Sequence, residues 1–257
     1  MKNNYHTIKS GIVKDALHAI SSNPLEDSYI GGGISLQFTL PDEYHRVTSD
    51  IDLSTSRHII TQNFRDYATE TFKPLEERGY SLNIRKRNAT LDAHLERDND
   101  HLMVQVPRRS KNNHTLRKKL LEREVSNARI VPYLNGNFKV IAYEDLIGHK
   151  VLRSTTFMTK YNLIMPQNNN PLLFMNALNS LKNEFDSCRF TLTPEELSDQ
   201  VATIRLHADI FDIQMMFTLF GENMDSRYLN EVLDSYSATK EQRKKWESLI
   251  ETIQNRI

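Results

Sequence analysis

The chain of 257 residues has a single cysteine, a single tryptophan and no net charge. Cys188 alone can form no internal disulfide and can build no cysteine metal cluster. The balance of 33 basic against 33 acidic residues excludes nucleic-acid binding through a globally positive surface, so any such role falls to local patches. Long apolar runs are missing. No stretch reaches the length of a membrane-spanning helix, and Met1-Lys2-Asn3-Asn4 leads into no apolar segment of the signal-peptide kind. Repeats with a period of roughly 20–50 residues are missing too. With 39% hydrophobic and 26% charged residues the chain can bury a core, and its length suits one large domain or two modest ones. A soluble, cytoplasmic protein with no membrane contact is the expectation.

The first part of the chain mixes both periodicities. Ile8, Ile12, Val13, Ala16, Leu17 and Ile20 recur at helical spacing, ending near Ser21-Ser22-Asn23-Pro24. Tyr29-Ile30 enters the glycine turn Gly31-Gly32-Gly33, and Ile34 to Leu40 can open a short helix. A second helix is expected from Ile59 to Phe72, closed by Lys73-Pro74. Period-two alternation marks strands at 80–85, 90–95 and 102–106, with Glu96 to Asp100 as a hairpin, and 138–141 is a further short strand. From Tyr143 onward the pattern is helical. Thr193-Pro194-Glu195-Glu196 is a capping-box start, and helices are expected at 172–185, 195–217, 227–236 and 240–253. The stretch Pro166 to Pro171 reads as a loop. The expected fold is α+β: a mixed-sheet domain over 1–155, then a helical domain over 156–257.

Chemistry concentrates in two neighbouring motifs. Asp50-Ile51-Asp52-Leu53 places two carboxylates on one face of a strand, their backbones about 6.5–7 Å apart. That spacing lets both reach one or two divalent cations with oxygen ligands, Mg2+ or Mn2+. Taken alone, an Asp-x-Asp pair is more often a short surface edge, a reading that Ile51 and Leu53 weaken by placing the acids on a strand with a buried opposite face. Gly32 and Gly33 let backbone N–H groups approach a phosphate, and Ser35 can donate a hydroxyl to one; a plain glycine turn is the competing reading. No Gly-Lys-Ser/Thr follows, so this is not a Walker loop. Two basic runs, Arg85-Lys86-Arg87 and Arg108 to Arg123, are solvated faces or nucleic-acid contacts. His45, His58, His94 and His101 show no zinc spacing, and Trp246 with Leu249, Ile250 and Ile253 forms a helical packing stripe.

The glycine turn followed by Asp-x-Asp resembles the DNA polymerase β-like nucleotidyltransferase superfamily. The fuller pattern Arg46-x-Thr48-x-Asp50-Ile51-Asp52-Leu53 is similar, more narrowly, to the AbiEii/MenT toxin nucleotidyltransferases. Tyr143 to Leu152 is similar to the helix carrying that family's active-site lysine, here Lys150. Arg205 to Asp212 is similar to its later aspartate helix, here with Asp209 and Asp212, although His207-Ala208 replaces the usual basic residue. The resemblance runs discontinuously from Tyr29 to about Phe217.

The resemblance implies a polymerase β-like domain with a C-terminal helical domain completing the active-site cleft. It implies transfer of a nucleoside monophosphate from a nucleoside triphosphate, with Asp50 and Asp52 on the metal, Gly32, Gly33 and Ser35 on phosphates, Lys150 on the triphosphate and Asp209 completing the site. The acceptor it implies is the 3′ end of transfer RNA, and the role that of a toxin in a toxin–antitoxin or phage-defence pair with a cognate antitoxin. A third acid is usual in the superfamily; Gln105 stands on the neighbouring strand, leaving Asp92 or no residue for that part. Modification of a protein hydroxyl and an inactive nucleotide- or partner-binding module stay open.

Overall fold

The structure, a computed structural model, describes residues 5–167, 170–237 and 239–256. Among these residues it is an α+β protein with eight α-helices and seven strands in one mixed sheet. It divides into two compact units, Met1–Ala142 and Tyr143–Ile257. The division lies ahead of the expected 155/156 boundary because Tyr143–Lys160 is one continuous helix packed on the helices that follow it.

The strands of the first unit are β1 (Ser28–Gly31), β2 (Asp50–Thr55), β3 (Ser81–Lys86), β4 (Thr90–Arg97), β5 (Asp100–Pro107), β6 (Arg129–Tyr133) and β7 (Gly136–Val140). Their order is β3-β4-β5-β2-β1-β7-β6, parallel at β2/β5 and β1/β7 and antiparallel elsewhere. Alternation decides which face is which. Ile51 and Leu53, Leu91, Ala93 and Leu95, and Leu102, Val104 and Val106 all point to one side and are buried. There they pack with the apolar stripes of α1 (Gly11–Ser22) and α2 (Thr61–Glu76). Asp50, Asp52, Gln105, Asp92 and His94 are their alternates, so they share the opposite face.

Pro74 does not end α2 but lies in its last turn. The bond it forgoes belongs to the exposed Glu70, whose carbonyl water can satisfy, and buried Leu75 holds the turn in place. The stop comes from Gly79, at φ +87°, where Tyr80 N–H returns to the Leu75 carbonyl at 3.0 Å. The Arg97–Asp100 pair closes a two-residue hairpin over Asp98-Asn99, with Asp98 left-handed at φ 53°. The basic run after Arg108 is a 17-residue helix, α3 (Lys111–Asn127), capped by Ser110. Only Leu121 and Glu124 of α3 are buried, which is why no apolar stripe announced it. Strand β6 was likewise unheralded, since Pro132 interrupts it; a proline is tolerated there because β6 is an edge strand.

The second unit is helical among its described residues: α4 (Tyr143–Lys160), α5 (Pro171–Cys188), α6 (Pro194–Phe220), α7 (Ser226–Tyr236) and α8 (Lys240–Gln254). Of the loop expected at 166–171, residues 168 and 169 lie outside the described residues. The capping box at Thr193 and Glu196 forms in both directions. Gly148 lets α4 and α7 close, since a Cβ there would stand 2.6 Å from Val232 Cγ1. Trp246 is buried, with Nε1 donating to Thr155 Oγ1 at 3.0 Å. No helix among the described residues is long and apolar enough to cross a membrane.

Candidate active site

Strand β2 sets the two carboxylates side by side. Register pairs Asp50 with Met103 and Asp52 with Gln105 across the parallel β2/β5 seam, so Gln105 faces the acids. Its Nε2 donates to Asp50 Oδ2 at 2.8 Å and to Asp52 Oδ1 at 2.7 Å. One amide thus bridges two like charges that would otherwise repel. Thr48 Oγ1 fixes the other Asp50 oxygen at 3.0 Å, and Thr48 is itself held by reciprocal 2.7 Å backbone bonds with His6.

The glycine turn closes onto the same acids. Gly32 has φ +65°, and a Cβ there would lie 1.8 Å from Asp52 Oδ2. Both the left-handed backbone and the close approach require glycine. At Gly33 a Cβ would meet the guanidinium of Arg46 at 2.2 Å. Gln37 ties the two segments together, its Nε2 donating to the Arg46 carbonyl at 2.7 Å and its Oε1 accepting from Ile8 N–H at 2.7 Å. Ser35 is fully buried, and its hydroxyl donates to the Gly32 carbonyl at 2.6 Å. That bond engages the hydroxyl within the turn itself.

Asp92 shares the face but not the site. Gln105 stands between Asp92 and Asp52 in the sheet register, so two strand spacings, roughly 10 Å, separate the acids' backbones. Its carboxylate is fully buried and ion-paired with Arg87 Nε at 2.6 Å. Beside it, His94 Nδ1 and His101 Nε2 stand 2.8 Å apart. Burial, with Arg85 and His101 adding to it, pushes the His94 pKa down to about 4.

In the second unit, Lys150 is 1% exposed and lies between two carboxylates, 3.1 Å from Asp209 Oδ1 and 2.6 Å from Asp212 Oδ2. Arg153, one turn along α4, grips Asp209 through Nε at 2.6 Å and Nη2 at 2.5 Å. Burial alone would raise the Asp209 pKa, but Arg153 and then Lys150 outweigh it and hold the group below the usual carboxylate range. The cations on Asp209 are therefore Arg153 and Lys150 of the neighbouring helix, while Arg205 of its own helix is exposed. His207 turns back on its helix, with Nδ1 against the Thr203 carbonyl at 2.9 Å.

The donors around β2 are all oxygens from two carboxylates. Among the described residues no group of three or more His, Cys, Asp or Glu is placed to share a metal ion. Two carboxylates fit magnesium, which keeps water and substrate phosphates in its remaining positions; they do not make a closed protein cage. A cavity of about 480 Å3 lies elsewhere in the first unit, lined by Ile20, Leu25, Tyr29 and Phe138, and neither acid borders it. Arg46, Thr48 and Gln105 are the residues that sequence reasoning left unassigned. Gln105 carried one available signal, the period-two position that turns it away from buried Val104 and Val106. No family model matches the chain, and no curated protein matches it.

Proposed function

We propose that the chain is a metal-dependent nucleotidyltransferase (class EC 2.7.7), with a polymerase β-like domain and a C-terminal helical-bundle domain. The observation that carries this reading is the close approach of the Gly32 backbone to Asp52, which puts a glycine turn beside a pair of carboxylates. Asp50 and Asp52 would hold Mg2+ or Mn2+, whose charge would offset that of the phosphates. The N–H groups of Gly32 and Gly33 would orient the phosphates of a nucleoside triphosphate. An acceptor hydroxyl forms a new bond to the α-phosphorus and loses its proton; the bond to the bridging oxygen breaks and pyrophosphate departs.

Transfer RNA is the acceptor favoured by the resemblance, and a toxin with a cognate antitoxin is the biological role. The exposed face of α3, with Lys111, Arg117, Lys118 and Lys119, supplies the local positive charge that RNA phosphates require of a protein with no net charge. The second reading, a binding module without catalysis, is favoured by Gln105, which occupies the strand position facing Asp52 where a third acid would stand.

Transfer of radiolabel from each α-labelled nucleoside triphosphate, with magnesium, to total RNA and protein separates these readings. RNA label lost in Asp52→Ala supports the proposal, and its loss on charge reversal at Arg117, Lys118 and Lys119 assigns the RNA contact to α3. Label on protein would move the acceptor to a side-chain hydroxyl. Bound triphosphate with no transferred label would leave the binding module.

A further inference from the structure

The ion cluster of the second unit distributes its two positive charges unequally. Lys150 and Arg153 lie one turn apart on α4, and Asp209 and Asp212 one turn apart on α6, so the four side chains meet as two rungs between the helices. Two cations and two carboxylates leave the cluster neutral. Lys150 is 1% exposed and Arg153 is 46% exposed.

This difference decides which cation can meet an anion from outside. For Lys150 to reach a phosphate it would have to leave both carboxylates, taking its charge away from buried Asp212 and leaving Asp209 to Arg153 alone, a rearrangement costing several kcal/mol. Arg153 needs no such move. Its guanidinium carries five N–H donors in a planar fork; Asp209 engages it along the Nε–Nη2 edge, and the side chain stays half-exposed. Asp209, fully buried, holds the fork in one orientation, and Lys150 with Asp212 holds Asp209. An oriented, half-exposed guanidinium presents donors at the geometry that a phosphate oxyanion accepts.

We propose that Arg153 is the oxyanion-binding residue of the helical unit, taking a phosphate group of a nucleoside triphosphate or of a nucleic-acid backbone, and that Lys150 is a positioning residue which acts on it through Asp209. The phosphate identity rests on the nucleotidyltransferase reading; the assignment to Arg153 over Lys150 rests on the cluster alone.

The test titrates full-length protein with inorganic tripolyphosphate, with each nucleoside triphosphate plus magnesium, and with a short single-stranded RNA. Wild type, Arg153→Ala and Arg153→Gln are compared, and a thermal melt of each variant checks the fold. Arg153→Gln keeps a planar donor without the charge and serves where Arg153→Ala unfolds. A tenfold or greater loss of triphosphate and tripolyphosphate affinity, with the melt preserved, assigns Arg153 to the nucleotide. The same loss confined to RNA assigns it to the nucleic-acid backbone. Unchanged affinity for every ligand in both variants overturns the proposal, as does failure of the wild type to bind any of them. Should the wild type bind phosphates through Arg153 yet transfer no label, the nucleotidyl-transfer reading fails and the Arg153 assignment stands.

Discussion

Replacing Gly32 by alanine tests the geometry around Asp52 in a quantity that needs no substrate. The left-handed backbone at φ +65° costs an alanine about 1–2 kcal/mol. The new methyl would also stand 1.8 Å from Asp52 Oδ2, 2.8 Å from Cγ and 3.2 Å from Cβ, so the carboxylate must swing aside. Swinging removes it from Gln105 Nε2, now 2.7 Å from Oδ1, a charge-assisted bond worth about 1.5–3 kcal/mol. The expected loss is therefore about 2.5–5 kcal/mol. Gly79 supplies the control. It too is left-handed, at φ +87°, but an added Cβ meets nothing within 4 Å, so Gly79→Ala should cost only the backbone share. Urea unfolding of both variants, repeated in an Asp52→Ala background, completes the comparison. There the carboxylate is gone and only the residue-52 Cβ, 3.2 Å from the new methyl, is left, so the cost of Gly32→Ala should fall most of the way to that of Gly79→Ala. Equal costs for the two alanines in the wild-type background would refute the close approach of the turn to Asp52.

Gln105→Leu should destabilise the protein by about 1–3 kcal/mol, since it leaves two adjacent carboxylates unbridged, and a further Asp50→Asn should recover part of that loss in the same unfolding assay. Lys150→Ala should cost about 3–5 kcal/mol by leaving Asp209 and Asp212 buried without their shared cation, visible as a lowered melting temperature. The His94 pKa is depressed in the fold, from 6.5 to about 4, so the neutral ring's contribution is complete above pH 6.5. It is lost as pH falls toward 4, a change of up to about 3 kcal/mol. His94→Gln should flatten the stability profile across that interval and leave it unchanged above pH 7.

Much of the fold was legible because local pattern and tertiary demand agree. Period-two alternation in Asp50-Ile51-Asp52-Leu53 already assigned Ile51 and Leu53 to the core and both acids to one face. The Thr193–Glu196 box fixed the start of α6, because capping uses only neighbours in sequence. Helix α3 escaped that reading because a helix lying on the surface buries only two of its residues and shows no stripe. Pro74 misled it because a missing N–H matters little where the orphaned carbonyl faces water.

The paired carboxylates, the glycine turn and the lysine and aspartate candidates were readable from residue type and short spacing. What each of them meets follows from strand register and helix packing instead. Register across the β2/β5 and β4/β5 seams set Gln105 beside Asp52 and kept Asp92 two strands from it. Packing of α4 on α6 buried Lys150 between two acids and left Arg153 half in solvent. Those outcomes depend on partners 53 residues from Asp52 and 56 from Arg153, and no local pattern encodes contacts at such separation.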